Sequence, residues 1–138
     1  MPFNPQGLVS VILSLHFVIF GWRISREISL GDQQRRTWLL IGDYLILLSM
    51  LAMLALCIIT PIITESFSTL SETCLAVSSV IAILYPVILA GHYRLFSSKG
   101  RSIYAERGRD VAYVTDQEWL ILIIALLVAL TSGVIVAR

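Results

Sequence analysis

Residues Trp38 to Thr60 read WLLIGDYLILLSMLAMLALCIIT and form the longest apolar run of the chain. As a helix that rises roughly 1.5 Å per residue, the run would be about 34 Å long, slightly more than the ~30 Å hydrocarbon core of a bilayer. One residue departs from the pattern, because Asp43 places a carboxylate about five residues inside the run. The run therefore predicts a membrane-spanning helix that carries a polar group in need of a partner.

The composition of the whole chain agrees with a membrane protein. Of its 138 residues 57% are hydrophobic and only 14% are charged, whereas about 25% are charged in a soluble domain. The formal net charge is +1, which argues against the strongly basic surface of nucleic-acid-binding proteins. We therefore expect a single transmembrane domain and no nucleic-acid partner.

Four apolar segments predict an all-α integral membrane protein, a four-helix up-down bundle. Gly31 is a suitable stop for the first helix and Asp32 a suitable N-cap for the second. Pro61 predicts the end of the second helix at Thr60, since the residue before a proline avoids helical geometry. The predicted spans are about 5–30, 33–60, 70–93 and 116–137.

Local signals mark the third and fourth helices. Thr69 to Glu72 and Thr115 to Glu118 both have the T-x-x-E spacing of a capping box. Pro86 lies inside the third predicted helix and predicts a kink there. The polar connection 94–115 fits either a small hairpin or a helix lying on the membrane surface.

Basic residues predict the orientation. Nine of the ten Lys and Arg residues flank the first and third connections, and short basic loops stay in the cytoplasm. We therefore expect both termini outside a cell membrane, with these residues contacting anionic head groups at the cytoplasmic face or, alternatively, a cytoplasmic partner. The nine are Arg23, Arg26, Arg35, Arg36, Arg94, Lys99, Arg101, Arg107 and Arg109.

Three polar residues of the spans lie at similar predicted depths. His16 and Asp43 fall on neighbouring helices of a tight hairpin, and Tyr85 reaches a comparable depth on the third helix. Ionisable residues inside a membrane usually face the bundle interior and a partner. One hypothesis is that His16 and Asp43 touch and exchange protons. We favour the structural alternative, in which Asp43 reaches interfacial water or pairs with Arg23, Arg35 or Arg36, and His16 bonds to a neighbouring carbonyl.

Small residues predict how two helices pack. Small side chains let helix backbones approach closely in lipid, so we expect the third and fourth helices to pack on each other. In the alternative interpretation, one of these stripes faces another subunit. The stripes, at i, i+4 spacing, are Ser78, Ala82, Pro86 and Ala90 in the third helix, and Ala125, Ala129, Gly133 and Ala137 in the fourth.

The two cysteines fall on either side of the connection between the second and third spans. Cys57 lies near the end of the second helix and Cys74 near the start of the third. We interpret them as buried free thiols that act as small hydrophobic residues. A disulfide on an oxidising outer side is the alternative.

Motifs for catalysis are missing from the sequence. It has no C-x-x-C pair, no H-E-x-x-H and no P-loop, so we assign no catalytic residue, metal or cofactor. We interpret the chain as a non-enzymatic subunit that packs with itself or with a larger membrane complex. The alternative is a small oligomeric transporter or channel that uses Asp43 and His16, and a membrane enzyme ranks third.

Overall fold

A computed structural model describes residues 5–32, 39–93, 95–96 and 114–138 of the chain. These residues confirm the all-α prediction, and each of the four helices is long and apolar enough to cross a bilayer. The side of the membrane on which the termini lie stays a prediction. The helices are α1, Pro5–Asp32; α2, Ile41–Thr64; α3, Thr69–His92; and α4, Asp116–Val136.

The start of α2 differs from its prediction. α1 continues through Gly31 to Asp32, and Leu40, in extended conformation, precedes the first residue of α2. Asp43 therefore lies in the first turn of α2 and not five residues inside it. Its side chain accepts a hydrogen bond from the Leu40 N–H at 2.8 Å, which satisfies a backbone donor that a helix start leaves free.

The predicted end of α2 at Thr60 is wrong, because the helix passes Pro61 and continues to Thr64. A proline removes an N–H, and its ring collides with the carbonyl four residues earlier in an α-helix. The turns before Pro61, Leu54–Ile59, are π-helical, so this segment is wound more widely. The chain leaves the helix at Glu65, whose φ of 53° is left-handed.

Both later helices begin with a hydroxyl cap. α3 is capped by Ser68, whose Oγ accepts from the Ser71 N–H at 3.2 Å, and not by Thr69 as predicted. α4 is capped by Thr115, whose Oγ1 accepts from the Glu118 N–H at 3.1 Å. Each cap satisfies one of the free N–H groups of a helix start.

Among the described residues, the most extensive contact between two helices is that of α3 with α4. Of the predicted small residues of α4, Ala125, Ala129 and Gly133 are buried and Ala137 is exposed. A Cβ atom added to Gly133 would lie 2.9 Å from Val77 Cγ2 and 3.2 Å from Thr73 Cγ2. Branched side chains of α3 therefore occupy the space that the small residues of α4 leave.

The small residues of α3 do not form one matching stripe. Ser78 and Ala82 are buried in the bundle. Pro86 is exposed and Ala90 is half-buried, and both line a groove against α1. Gly91, which the stripe did not include, makes the close approach to α4: an added Cβ would lie 2.5 Å from Ile121 Cδ1.

Candidate functional site

A buried ion pair joins α1 to α2. The Arg23 residue is 1% exposed and Asp43 is 0% exposed. Arg23 Nε donates to both carboxylate oxygens, at 3.0 and 3.1 Å, and Nη2 donates to Oδ2 at 2.9 Å. A forked guanidinium suits such multiple bonds to a carboxylate, which are stronger than bonds between neutral groups.

Two further donors complete the environment of Asp43. The Tyr85 hydroxyl of α3 donates to Oδ1, and the Leu40 N–H donates to Oδ2. One carboxylate thus holds together α1, α2 and α3. Its position in the first turn of α2 is favourable as well, because the helix dipole stabilises negative charge at a helix start.

Glu27 extends the pair to a network of four residues, Arg23, Glu27, Asp43 and Tyr85, which we call the Arg23 network. Arg23 Nη1 donates to Glu27 Oε1 at 2.7 Å, and the partly exposed Arg26 donates to the same oxygen at 3.2 Å. Arg23 therefore binds two carboxylates at once. A buried charge is tolerated in such a setting, where a partner and hydrogen bonds compensate for lost hydration.

His16 lies apart from the Arg23 network. Its Nδ1 is 2.8 Å from the Ile12 carbonyl oxygen and its Nε2 is 2.9 Å from Ser49 Oγ. A carbonyl only accepts, so Nδ1 carries the proton, and the Ser49 hydroxyl then donates to Nε2 of the neutral ring. Both ring nitrogens are occupied, so the structure does not bring His16 to Asp43.

Of the predicted polar set, the structure brings Asp43 and Tyr85 together and leaves out His16. The partners it shows are those of the structural alternative, Arg23 for Asp43 and a neighbouring carbonyl for His16. Arg23 and His16 are seven residues apart on α1, which places them roughly 10 Å apart along the helix axis. The structure therefore does not show the contact between His16 and Asp43 that the proton-exchange hypothesis requires.

A second buried polar pair, not predicted from the sequence, joins α3 to α4. His92 Nδ1 lies 2.7 Å from Glu118 Oε2, and Thr115 Oγ1 donates to the Gly91 carbonyl at 2.9 Å. In the sequence, Glu118 fits the T-x-x-E spacing that begins at Thr115. The signal was present, because His92 in the last turn of α3 and Glu118 in the first turn of α4 share one depth.

At the opposite end of the bundle the buried polar contacts are made by neutral groups. Cys57 and Cys74 are buried and free, as interpreted from the sequence. The Cys57 thiol donates to the Ser71 carbonyl at 3.3 Å, and Ser71 Oγ donates to the Leu56 carbonyl at 2.6 Å. These two bonds link the π-helical turns of α2 to the first turn of α3.

Two of the nine predicted head-group contacts lie in the described part of the chain. Arg23 is buried in the Arg23 network, so its predicted contact with lipid head groups is wrong. The Arg26 side chain is 34% exposed and remains a candidate. The predictions for the other seven, and for the conformation of the loop around them, fall outside the described residues: Arg35, Arg36, Arg94, Lys99, Arg101, Arg107 and Arg109.

Comparison with protein-family models, curated proteins and solved structures finds no match to this chain. Within the described ranges, no group of three or more His, Cys, Asp or Glu side chains is placed to hold a metal ion.

Proposed function

We propose that this protein is a non-enzymatic subunit of a cell-membrane assembly, formed with copies of itself or within a larger membrane complex. The observation that carries the proposal is the saturated carboxylate of Asp43. Carboxylate oxygens offer about four lone-pair sites, and Arg23, Tyr85 and the Leu40 N–H supply five contacts to them. Asp43 is thus used to hold helices together.

The outer surface of the bundle supports an assembly role. Among the described residues α4 packs mainly on α3, and most of the residues on its other sides are apolar and exposed. Helices associate in lipid through close side-chain packing, so this surface suits lateral contact with another membrane helix. Its exposed residues include Leu120, Ile123, Ile124, Leu127 and Leu130.

A transporter or ion channel is the second candidate, and one observation favours it. Arg23 and Asp43 are charged side chains buried in a span, where transporters keep their coupling residues. In that case Asp43 would have to exchange Arg23 for an ion or proton during each cycle. The partners of His16, Ile12 and Ser49, leave it out of such a relay.

Reconstitution separates these two functions. The wild-type protein and Asp43→Asn are placed in liposomes with an enclosed pH-sensitive dye, and their mass in detergent is measured by light scattering. We expect proton flux no higher than in empty liposomes, and a mass that is a multiple of the 15.4 kDa chain or that of a defined complex. Flux in the wild type that Asp43→Asn abolishes would establish the transporter instead.

A further inference from the structure

An apolar groove runs between α1 and α3 beside the Arg23 network. Its volume is about 470 Å³, within the ~300–1,000 Å³ of small-molecule pockets. Val18 and Trp22 form the α1 wall, and Pro86, Ala90 and Tyr93 belong to the α3 side. Every lining side chain is apolar or aromatic, so an occupant must be apolar along this length.

The groove exists because α3 has small residues where α1 passes it. Pro86 and Ala90 are four residues apart on one face of α3, and neither side chain reaches across to Val18. The Tyr85 ring also lines the groove, and its hydroxyl is bound by Asp43. The groove wall is therefore fixed by the same network that joins the helices.

The length of the groove suits part of an acyl chain. Tyr85 to Tyr93 spans about 12 Å along α3, less than half of the ~30 Å hydrocarbon core of a bilayer. The apolar groove of about 470 Å³ therefore offers an acyl chain contact over part of its length.

One end of the groove has the chemistry of a membrane interface. Trp22 and Tyr93 lie there, residue types that prefer the head-group level. The Arg26 guanidinium lies 5.1 Å from the centre of the Tyr93 ring. In the described part of the chain Arg26 donates one hydrogen bond, to Glu27, and a guanidinium has five N–H donors. The other N–H groups of Arg26 make no hydrogen bond within the described residues, so they can bind an anion at this level.

We infer that the groove binds one acyl chain of an anionic phospholipid, whose phosphate is held by Arg26. The apolar walls recognise the chain, and the guanidinium selects the head group. This inference is independent of the proposed assembly role, because a transporter with the same bundle would hold the same lipid.

Native mass spectrometry of the delipidated full-length protein tests the inference. The probes are palmitoyl-oleoyl phosphatidylglycerol and the phosphatidylcholine with the same chains. Ala90→Leu and Val18→Phe each fill the groove from one wall, and Val18 is already 68% exposed, so its variant keeps the fold. Ala55→Leu is the control, since Ala55 is exposed on α2 away from the groove. Arg26→Gln tests the head-group contact.

We expect the wild type and Ala55→Leu to bind one phosphatidylglycerol tightly. Both groove-filling variants should bind it at least about tenfold more weakly, because the added side chain occupies the volume that the acyl chain would fill. Arg26→Gln should keep binding but lose roughly fivefold of its preference for phosphatidylglycerol over phosphatidylcholine.

Two results would overturn the inference. One is equal lipid binding by Val18→Phe and Ala55→Leu. The other is an unchanged preference for phosphatidylglycerol in Arg26→Gln. In a third outcome, the groove-filling variants would change the mass of the assembly and leave lipid binding intact. This result would show that the groove binds another protein chain, and it would contradict the inference that it binds a lipid.

Discussion

The two ends of the bundle hold the same helices together by different means. At one end, the Arg23 end, Asp43 of α2 binds Arg23 of α1 and Tyr85 of α3 through a buried charge. At the other, the Cys57 end, neutral bonds link α2 and α3: Ser71 donates to the Leu56 carbonyl, and Cys57 donates to the Ser71 carbonyl.

The difference lies in what happens when one group is lost. Removing one member of a buried ion pair leaves an uncompensated charge in a region without water, which costs about 3–5 kcal/mol. Removing a neutral hydrogen bond between membrane helices costs about 0.6 kcal/mol on average. We therefore expect the Arg23 end to be the sensitive end of the bundle, and each prediction below tests this.

The largest expected effect is that of Arg23→Gln. It leaves the Asp43 carboxylate buried without a cation, so the free energy of unfolding should fall by about 3–5 kcal/mol. Asp43→Asn should cost less, since Arg23 keeps Glu27 at 2.7 Å. Unfolding in mixed detergent–SDS micelles, followed by circular dichroism, measures both.

Arg26→Gln is the matched control for Arg23→Gln, since the same substitution lies three residues further along α1. Its bond to Glu27 is partly exposed, and such pairs contribute about 0–1 kcal/mol. If Arg23→Gln and Arg26→Gln lowered the free energy of unfolding equally, the burial of Arg23 would not make this end of the bundle more sensitive.

Tyr85→Phe removes only the hydroxyl that donates to Asp43. Hydrogen bonds to a charged group contribute about 1.5–3 kcal/mol, so we expect a loss in that range by the same unfolding assay. Tyr44→Phe serves as the control, because Tyr44 is 53% exposed on α2. If Tyr85→Phe were as stable as Tyr44→Phe, the Tyr85 hydroxyl of α3 would not contribute to the charged contact.

Glycines at both ends of the contact between α3 and α4 separate charge from packing. Gly91 lies at the Arg23 end and Gly133 at the Cys57 end, and a Cβ at either would crowd its neighbours. Alanine at each should cost about 1–3 kcal/mol through overpacking. Gly21→Ala, with open space around it, should be neutral or stabilising. Very unequal losses at the two glycines would show that the ends differ in packing too.

The smallest effect is expected at the Cys57 end itself. Ser71→Ala removes the bond to the Leu56 carbonyl and should lower the free energy of unfolding by about 0.6 kcal/mol. Ser10→Ala provides the reference in the same assay, because among the described residues the Ser10 hydroxyl bonds within its own helix, to the Gln6 carbonyl. A loss as large as that of Arg23→Gln would reverse the ranking of the two ends.

The sequence alone predicts the four helices, because long apolar runs suffice to locate spans. It also names Arg23 as one of three possible partners for Asp43. It misplaces the ends of α2, because the π-helical turns before Pro61 depend on packing and not on local propensity. Apolar residues lie on all sides of α1. The sequence pattern therefore does not show which side of α1 faces the bundle, and so does not show which residues surround His16.

The pairs between helices are harder to predict. The sequence pattern connects neither Ser49 to His16 nor Glu118 to His92. Each pair joins residues more than 25 positions apart, and their contact requires the rotation of two helices to be known. The close approach at Gly91 is hard to predict for the same reason. Gly91 is an isolated glycine and does not belong to an i, i+4 stripe of small residues, so the pattern does not mark it as a contact.

The most direct test of the structural role of Asp43 is a double-mutant cycle. Arg23→Gln, Asp43→Asn and the double variant are unfolded under the same micellar conditions. We predict that the double variant is more stable than the sum of the single losses implies, with a coupling of about 1.5–3 kcal/mol. Additive losses, within about 0.5 kcal/mol, would contradict a direct tie between the two side chains.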